Sequence, residues 1–194
     1  MTALKLAFLA GSTRQASFNR KLARAAFDLA REQGTTAELI ELADYPMPLY
    51  NGDLEASEGP PENARKLRGV LRAHQGIFIA SPEYNASVTP LLKNTLDWMS
   101  RVRDDEEPGL QLFRNRVFAI GGASAGRFGA MRSLLALRQV LETGIGALVL
   151  PDQIALSGAD RAFNETGALV DPALQALLAT VVGKLGQAAQ RLAP

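Results

Sequence analysis

Cysteine is absent from this chain of 194 residues, and histidine occurs once, as His74. Without cysteine the protein can form no disulfide, no thiolate nucleophile and no thiolate metal site. A single histidine cannot build the imidazole clusters that hold zinc or iron. We therefore predict no metal site, and chemistry that depends on sulfur or on several histidines is excluded.

An excess of charge and a long apolar run are also missing. Lys and Arg number 21 against 20 Asp and Glu, which gives a net charge of +1 and no global field toward nucleic acid or an anionic membrane. No apolar run reaches the length of a membrane span, and Lys5 leads into a strand pattern without a signal peptide. The expectation is a cytoplasmic protein without nucleic-acid or membrane partners. With 47% apolar residues, we expect one domain over residues 1–194.

Strand patterns and helical patterns alternate along the chain. This alternation predicts an α/β flavodoxin-like three-layer sandwich, with a five-stranded parallel sheet in the order 2-1-3-4-5. Ligands of such sheets bind beyond the carboxyl ends of the strands, here at the loops after strands 1, 3 and 4. Two segments are predicted as surface loops, 44–59 and 103–109, the second with a solvated acidic run at 104–107. The predicted strands lie near 4–10, 37–41, 76–81, 115–121 and 147–150, and the helices near 18–33, 61–74, 90–103, 127–143 and 171–191.

The loop after the first strand, Gly11–Asn19, carries hydroxyl and amide donors at the start of a helix. Helix N-termini attract anions, and the guanidinium of Arg14 can bind a phosphate bidentately. The loop lacks the Gly-Lys-Ser/Thr ending of a P-loop and the G-x-G-x-x-G spacing of a dinucleotide fingerprint. Two interpretations remain: a phosphate site without metal, or an ordinary helix start capped by Ser17 with its basic residues in water.

The loop after the third strand, Ser81–Ser87, offers groups that suit a planar heteroaromatic ligand. Pro82 gives a rigid exit from the strand, Tyr84 supplies a flat amphipathic ring, and Asn85 can donate and accept hydrogen bonds. A helix start alone explains the following Thr89-Pro90.

The loop after the fourth strand, Gly121–Gly129, contains a formal G-x-S-x-G match centred on Ser124. A serine hydrolase with this motif needs a histidine later in the chain, whereas His74 precedes Ser124, so we exclude a hydrolase. The glycines instead allow a ligand to approach the backbone closely. Arg127 is either a second anion clamp or a solvent-facing side chain.

Together these loops and the segment Leu92-Lys93-Asn94-Thr95-Leu96-Asp97-Trp98 resemble the NADPH-dependent FMN reductase family, the flavodoxin-like group that includes bacterial quinone and chromate reductases. The similarity spans roughly residues 4–153. It implies FMN as cofactor and NADPH or NADH as electron donor. The implied cofactor-binding residues are Ser12, Arg14, Ser17, Phe18 and Asn19 toward the phosphate, Pro82, Glu83, Tyr84 and Asn85 around the isoalloxazine, and Ser124 and Gly126 near the ring, with Arg127 as a candidate toward the nicotinamide or substrate.

The resemblance implies an oxidoreductase in which FMN carries the chemistry and no side chain is an obligate acid or base. NAD(P)H would pass hydride through FMN to a quinone, a metal oxyanion or free flavin in a ping-pong cycle. The alternatives are a flavodoxin-type electron carrier and an FMN-binding protein without turnover. Electron carriers are usually strongly acidic, because charge steers them to their redox partners. The net charge of +1 therefore disfavours the carrier interpretation.

The resemblance also implies a homodimer or homotetramer. The helix near 90–103 supports this expectation, because Leu91, Thr95, Trp98 and Val102 extend its apolar surface beyond one core stripe. Trp98 is predicted in the core or at a subunit interface. One departure from the family concerns Ala86, which stands where many relatives have Gly.

Overall fold

A computed structural model describes residues 4–103 and 109–192, so the acidic run at 104–107 lies outside the described residues. The strands are β1 (Lys5–Ala10), β2 (Thr36–Ile40), β3 (Gly76–Ala80), β4 (Val117–Ala123) and β5 (Leu148–Leu156). The helices are α1 (Phe18–Glu32), α2 (Gly52–Glu58), α3 (Glu62–Arg72), α4 (Pro90–Arg101), α5 (Gln111–Arg114), α6 (Met131–Arg138) and α7 (Pro172–Leu192).

The five strands form one parallel sheet in the order β2-β1-β3-β4-β5, which confirms the predicted topology. All residues of β3 and β4 are buried, as expected for central strands covered on both faces. Helices α1 and α7 pack on one face, around Phe8, Phe78 and Leu185. Helices α3, α4, α5 and α6 pack on the other face, around Ile79 and Phe118.

The predicted loop 44–59 contains a helix, α2, that the sequence pattern did not indicate. No residue of α2 is buried, so it lacks the apolar stripe on which helix prediction depends. The side chain of Asn51 caps its start by accepting the N–H of Asp53 at 2.8 Å. A polar cap and an acidic first turn therefore define the start of this helix, and only Leu54 packs against a buried cluster.

The predicted helix 127–143 begins later than expected, at Met131. Ala130 adopts the left-handed conformation with φ 66°, which interrupts a right-handed helix. The helical segment then widens into a π-helical turn over Gln139–Gly144. Strand β5 continues to Leu156, six residues past its predicted end at 150, with a register shift against β4 between Phe118 and Ile120.

The apolar side of α4 is covered by the chain itself. The indole N–H of Trp98 donates to the carbonyl of Pro48 at 2.8 Å, and Asn94 bonds the same carbonyl and the N–H of Tyr50. Trp98 and Val102 pack with Ala64 in a small buried cluster. Trp98 therefore belongs to the core of the protein, one of its two predicted locations, and Thr95, Trp98 and Val102 offer no exposed apolar surface for the predicted subunit interface. Within residues 4–103 and 109–192, no helix has the length and apolar character to cross a bilayer.

Candidate functional site

The loops after β1, β3 and β4 lie side by side at one edge of the sheet, as the strand order predicts. The N–H of Gly11 donates to the carbonyl of Ala80 at 2.9 Å, and the N–H of Ser81 donates to the carbonyl of Gly121 at 2.7 Å. The hydroxyl of Thr89, which caps α4, also donates to the carbonyl of Gly11 at 2.7 Å. These bonds hold the three loops in fixed positions relative to one another.

The loop after β1 retains donors for an anion. Ser17 caps α1, its hydroxyl accepting the N–H of Arg20, and the backbone N–H groups of Thr13, Gln15 and Ala16 donate to no other group in the described part of the chain. The Arg14 side chain is exposed and has no carboxylate partner among the described residues. Ser17 therefore caps the helix, as one of the two interpretations predicted, and the remaining donors of the loop have the chemistry that a phosphate requires.

Asn19 is engaged in a different contact from the predicted one. Its amide nitrogen donates to the carbonyl of Ala123 at 2.9 Å, and its amide oxygen accepts the N–H of Ala123 at 2.9 Å. The residue is buried, so this two-bond contact joins the start of α1 to the end of β4. Asn19 therefore positions the loops, and its side chain is not aimed freely at a phosphate.

Phe18 lies between the loop after β1 and the core. Its ring packs partly buried against the core, and the guanidinium of Arg14 lies 5.7 Å from the ring centre. This cation–π contact restrains the Arg14 side chain near the helix start. The neighbouring cation Arg20 lies 3.0 Å from the carboxylate of Glu41, so its charge is balanced within the protein.

The loop after β3 ends in a tight turn that projects an aromatic ring. The backbones of Tyr84 and Ser87 exchange two hydrogen bonds of 3.0 Å, and the residues between them, Asn85 and Ala86, have φ of 50° and 65°. Two successive positive φ values define a type I′ turn, which Gly and Asn favour and Ala does not. The ring of Tyr84 is about half exposed beside this turn, where a planar ligand can contact it.

Glu83 points away from the open site. Its carboxylate accepts hydrogen bonds from the guanidinium and backbone N–H of Arg132 and from the backbone N–H of Ser133 at the start of α6. Burial alone would raise the pKa of Glu83, but these hydrogen bonds outweigh it and hold the pKa below its usual value. Glu83 therefore holds the loop after β3 against the start of α6.

A buried hydroxyl pair reinforces the same contact. The hydroxyls of Ser81 and Ser133 lie 2.8 Å apart, and that of Ser133 also donates to the carbonyl of Pro82 at 2.8 Å. This hydrogen bond fixes the carbonyl of Pro82, and the proline ring itself restricts φ at this position. Neither Arg132 nor Ser133 was predicted, because their partners lie about fifty residues earlier in the chain.

The loop after β4 is fixed to the end of β5. The N–H of Ser124 donates to the carbonyl of Leu156, and the carbonyl of Ser124 accepts the N–H of Ala159. Its hydroxyl accepts the N–H of Gly126 at 3.2 Å, and a side chain at Gly126 would meet only that hydroxyl within 4 Å. Open space at Gly126 suits a bound ligand. By contrast, Gly129 (φ +56°) packs against the backbone of Ala155, where a Cβ would come within 2.8 Å.

Arg127 lies at the outer end of this loop and is exposed. Its guanidinium lies 4.7 Å from the ring centre of Phe128, and the guanidinium of Arg132 lies 5.0 Å from the same ring. No carboxylate pairs with Arg127 within the described residues. Arg127 is therefore free to bind an anionic ligand.

Two other features are remote from the three loops. His74 lies just before β3, at the opposite edge of the sheet from the three loops. Its Nδ1 is 2.8 Å from the carbonyl of Val70 and its Nε2 is 3.3 Å from Glu38, so it cannot serve Ser124 in a hydrolase. A cavity of about 660 Å³ lies between the carboxyl-terminal half of α1 and segment 166–178, and no predicted site residue lines it. Among the described residues, no cluster of three potential metal ligands is present.

The arrangement can bind a phosphate at one end and a planar ring at the other. Donors for the phosphate cluster at the start of α1, while Tyr84 and the backbones of loops 82–87 and 124–126 border the space beside it. No nucleophile with a base partner is present at this edge within the described residues. The residues present therefore fit a bound redox nucleotide better than direct side-chain catalysis.

Comparisons with known proteins identify the family to which the chain belongs. Residues 4–161 match the model of the NADPH-dependent FMN reductase family. An NAD(P)H-dependent FMN reductase of Pseudomonas aeruginosa is 36% identical over 176 residues, covering 90% of this chain and 89% of the relative. A quinone reductase of Pseudomonas putida is 34% identical, with coverage of 89% and 90%. The solved structure of the flavoenzyme FerB, an NAD(P)H:(acceptor) oxidoreductase from Paracoccus denitrificans, has a TM-score of 0.80 at 24% identity, covering 97% of this chain and 98% of FerB.

Proposed function

The chain belongs to the NADPH-dependent FMN reductase family and is an FMN-dependent NAD(P)H oxidoreductase, and we propose which residues bind FMN and which acceptors are reduced. FMN, when bound, supplies the hydride acceptor and donor that the side chains lack. The chain's own residues bind it, orient it and set the access of the donor and acceptor.

We propose that the loop Gly11–Ser17 binds the FMN phosphate. The free N–H groups of Thr13, Gln15 and Ala16, the hydroxyls of Ser12 and Ser17 and the guanidinium of Arg14 are the donors. Phe18 and Asn19 act indirectly, by restraining Arg14 and by holding the loop against Ala123. The observation that carries this assignment is Arg14, which lies at the start of α1 and has no carboxylate partner among the described residues.

We propose that the isoalloxazine ring lies between the loops 82–87 and 124–126. Pro82 and Asn85 present backbone groups, Tyr84 borders the ring, and Ser124 and Gly126 line the opposite side. Glu83 contributes through Arg132, because that contact holds the loop 82–87 against the start of α6, the helix that follows the loop 124–126. Backbone N–H groups of such loops can stabilise charge on the reduced cofactor.

Quinones are the proposed acceptors, with metal oxyanions and free flavin as further candidates. The quinone reductase of Pseudomonas putida is the relative that supports this assignment. Tyr84 is half exposed, and stacking against a ring discriminates poorly among planar molecules. An electron carrier or a non-catalytic FMN protein would show no oxidation of NAD(P)H by quinones.

The assembly is proposed to be a homodimer or homotetramer of 20.8 kDa subunits. Support comes from α6, where Met131 and Leu135 lie one turn apart and are exposed by 38% and 60%. Light scattering at micromolar concentration tests this proposal, and a monomer would contradict it.

A single domain over residues 1–194 and a cytoplasmic location stay predictions. A single cooperative unfolding transition would check the first, and cell fractionation would check the second.

Steady-state turnover with a panel of benzoquinones and naphthoquinones tests the proposed function. We expect NAD(P)H oxidation with several quinones at comparable rates, with FMN bound. Ser124→Ala should leave FMN occupancy nearly unchanged, because its hydroxyl contacts Gly126 at the ring side. Turnover of one quinone faster than all others by several orders of magnitude would contradict relaxed specificity, and no turnover with any of them would contradict the acceptor class.

A further inference from the structure

A second open cavity lies beside the three loops, toward β5. It has a volume of about 460 Å³ and is bordered by the loop after β4 and by the connection from β5 to α7. Ligand pockets commonly fall between about 300 and 1,000 Å³, so this space can hold part of a nucleotide. The residues that matter for its chemistry are Arg127, Ser157, Arg161, Val170 and Asp171.

This cavity adjoins the loop after β4, which also borders the proposed ring site. Ala125 and Arg127 line it, and they flank Gly126, which faces the proposed ring site. The two bonds of Ser124 to Leu156 and Ala159 fix the walls of the cavity to each other. A molecule that binds beside Gly126 can therefore extend into this space.

Two arginines line the cavity, and no carboxylate of residues 4–103 or 109–192 forms a short ion pair with either of them. Among the described residues Arg127 has no ion pair and lies over the ring of Phe128, whereas Nε of Arg161 lies 3.9 Å from the carboxylate of Asp160, with 85% of the Arg161 side chain exposed. Elsewhere, cations such as Lys184 and Arg101 lie within 2.8 Å of carboxylates. Arg127 and Arg161 are therefore available for an anion, and guanidinium groups bind phosphates bidentately.

One carboxylate, that of Asp171, lines the cavity. Oδ1 of Asp171 accepts the N–H of Ala173 at 2.8 Å, so this carboxylate caps the start of α7. Its second oxygen can accept a hydrogen bond from a ribose hydroxyl. Val170, which is 54% exposed, and the neighbouring Leu174 add apolar surface on which a purine face can lie.

We propose that this cavity binds the adenosine 2′-phosphate end of the dinucleotide donor, with Arg127 and Arg161 as its ligands. The proposal rests on the NAD(P)H oxidoreductase function and deepens it, because the 2′-phosphate is the group that distinguishes NADPH from NADH. An arginine beside the ribose is a common way to accommodate that phosphate. The protein then prefers NADPH.

The test combines turnover with a binding measurement that needs no turnover. The ratio of kcat/KM for NADPH to kcat/KM for NADH is measured in the FMN-loaded wild type, Arg127→Ala and Arg161→Ala. Charge-assisted hydrogen bonds lead us to expect a fall of about 10- to 100-fold in this ratio for each variant. Arg191→Ala, an exposed arginine near the end of α7, is the control and should keep the wild-type ratio. Calorimetry then compares 2′-AMP with 5′-AMP, and Arg161→Ala should abolish the preference for 2′-AMP.

The outcomes separate the possible sources of the phosphate. An equal loss for both dinucleotides would assign the arginines to the shared pyrophosphate and overturn the 2′-phosphate assignment, as would an unchanged ratio in both variants. Wild-type protein that binds 2′-AMP selectively but oxidises neither dinucleotide would leave the subsite standing and overturn the proposed function. FMN affinity and the thermal midpoint of each variant verify that the fold is intact.

Discussion

The Asn19 amide forms two hydrogen bonds of 2.9 Å with the backbone of a residue 104 positions later, Ala123. One bond is donated by Asn19 and the other is accepted by it, and both are buried. A single side chain therefore joins the phosphate-side loop to the loop beside the proposed ring site. The separation of these loops, and hence the space for FMN, depends on this contact.

Asn19→Asp should destabilise the protein by about 1–3 kcal/mol. A carboxylate can accept the N–H of Ala123 but cannot donate to its carbonyl, which leaves that buried oxygen unpaired. Urea denaturation measures the loss. Asn51→Asp is the matched control, because Asp caps a helix as well as Asn does, and its unfolding free energy should change little. Equal effects of the two substitutions would refute the special role of Asn19.

Ala86→Gly should stabilise the protein by about 1 kcal/mol, because Ala86 adopts φ 65° in the turn of the loop after β3. Thermal and urea unfolding measure the change. As a control, Ala56→Gly in the exposed helix α2 should destabilise by a similar amount, since glycine is unfavourable inside helices. Destabilisation by Ala86→Gly would show that the turn conformation is not strained.

Glu83→Gln should lower the free energy of unfolding at neutral pH by about 1.5 kcal/mol, the lower end for hydrogen bonds to a charged group, because solvent screens the half-exposed Arg132. Glu62→Gln, whose exposed carboxylate pairs with Lys66, should change the stability much less. Urea unfolding at pH 7 compares the two variants.

The same contact makes stability depend on pH. Its hydrogen bonds hold the pKa of Glu83 below the ordinary glutamate value of 4.5, so the stabilisation by this contact is complete above pH 4.5 and is lost as pH falls through the lowered pKa. The difference in unfolding free energy between the wild type and Glu83→Gln should therefore decrease as the pH falls below about 4.5. A difference between the two proteins that stays constant over this range would contradict the assignment.

Much of the fold could be predicted because its signals are local. Apolar strand runs, helix starts such as Thr89-Pro90 and the three polar loops all lie in contiguous sequence, and the sheet order placed those loops together. The contacts of Asn19 and Glu83 could not be predicted, because their partners are distant backbone groups at Ala123 and Ser133. The left-handed conformations of Ala86 and Ala130 could not be predicted either, because the turns around them require a positive φ that alanine disfavours.

The affinities of FMN and riboflavin for the wild type and for Arg14→Ala test the proposed site most directly. Arg24→Ala, another exposed arginine of the same region that lies over Phe27, is the matched control. We predict that Arg14→Ala weakens FMN binding by about 1.5–3 kcal/mol through loss of a charge-assisted contact to phosphate. Riboflavin lacks the phosphate, so its affinity should not change. Equal weakening of both flavins, or an unchanged affinity for FMN, would contradict the placement of the FMN phosphate at the start of α1.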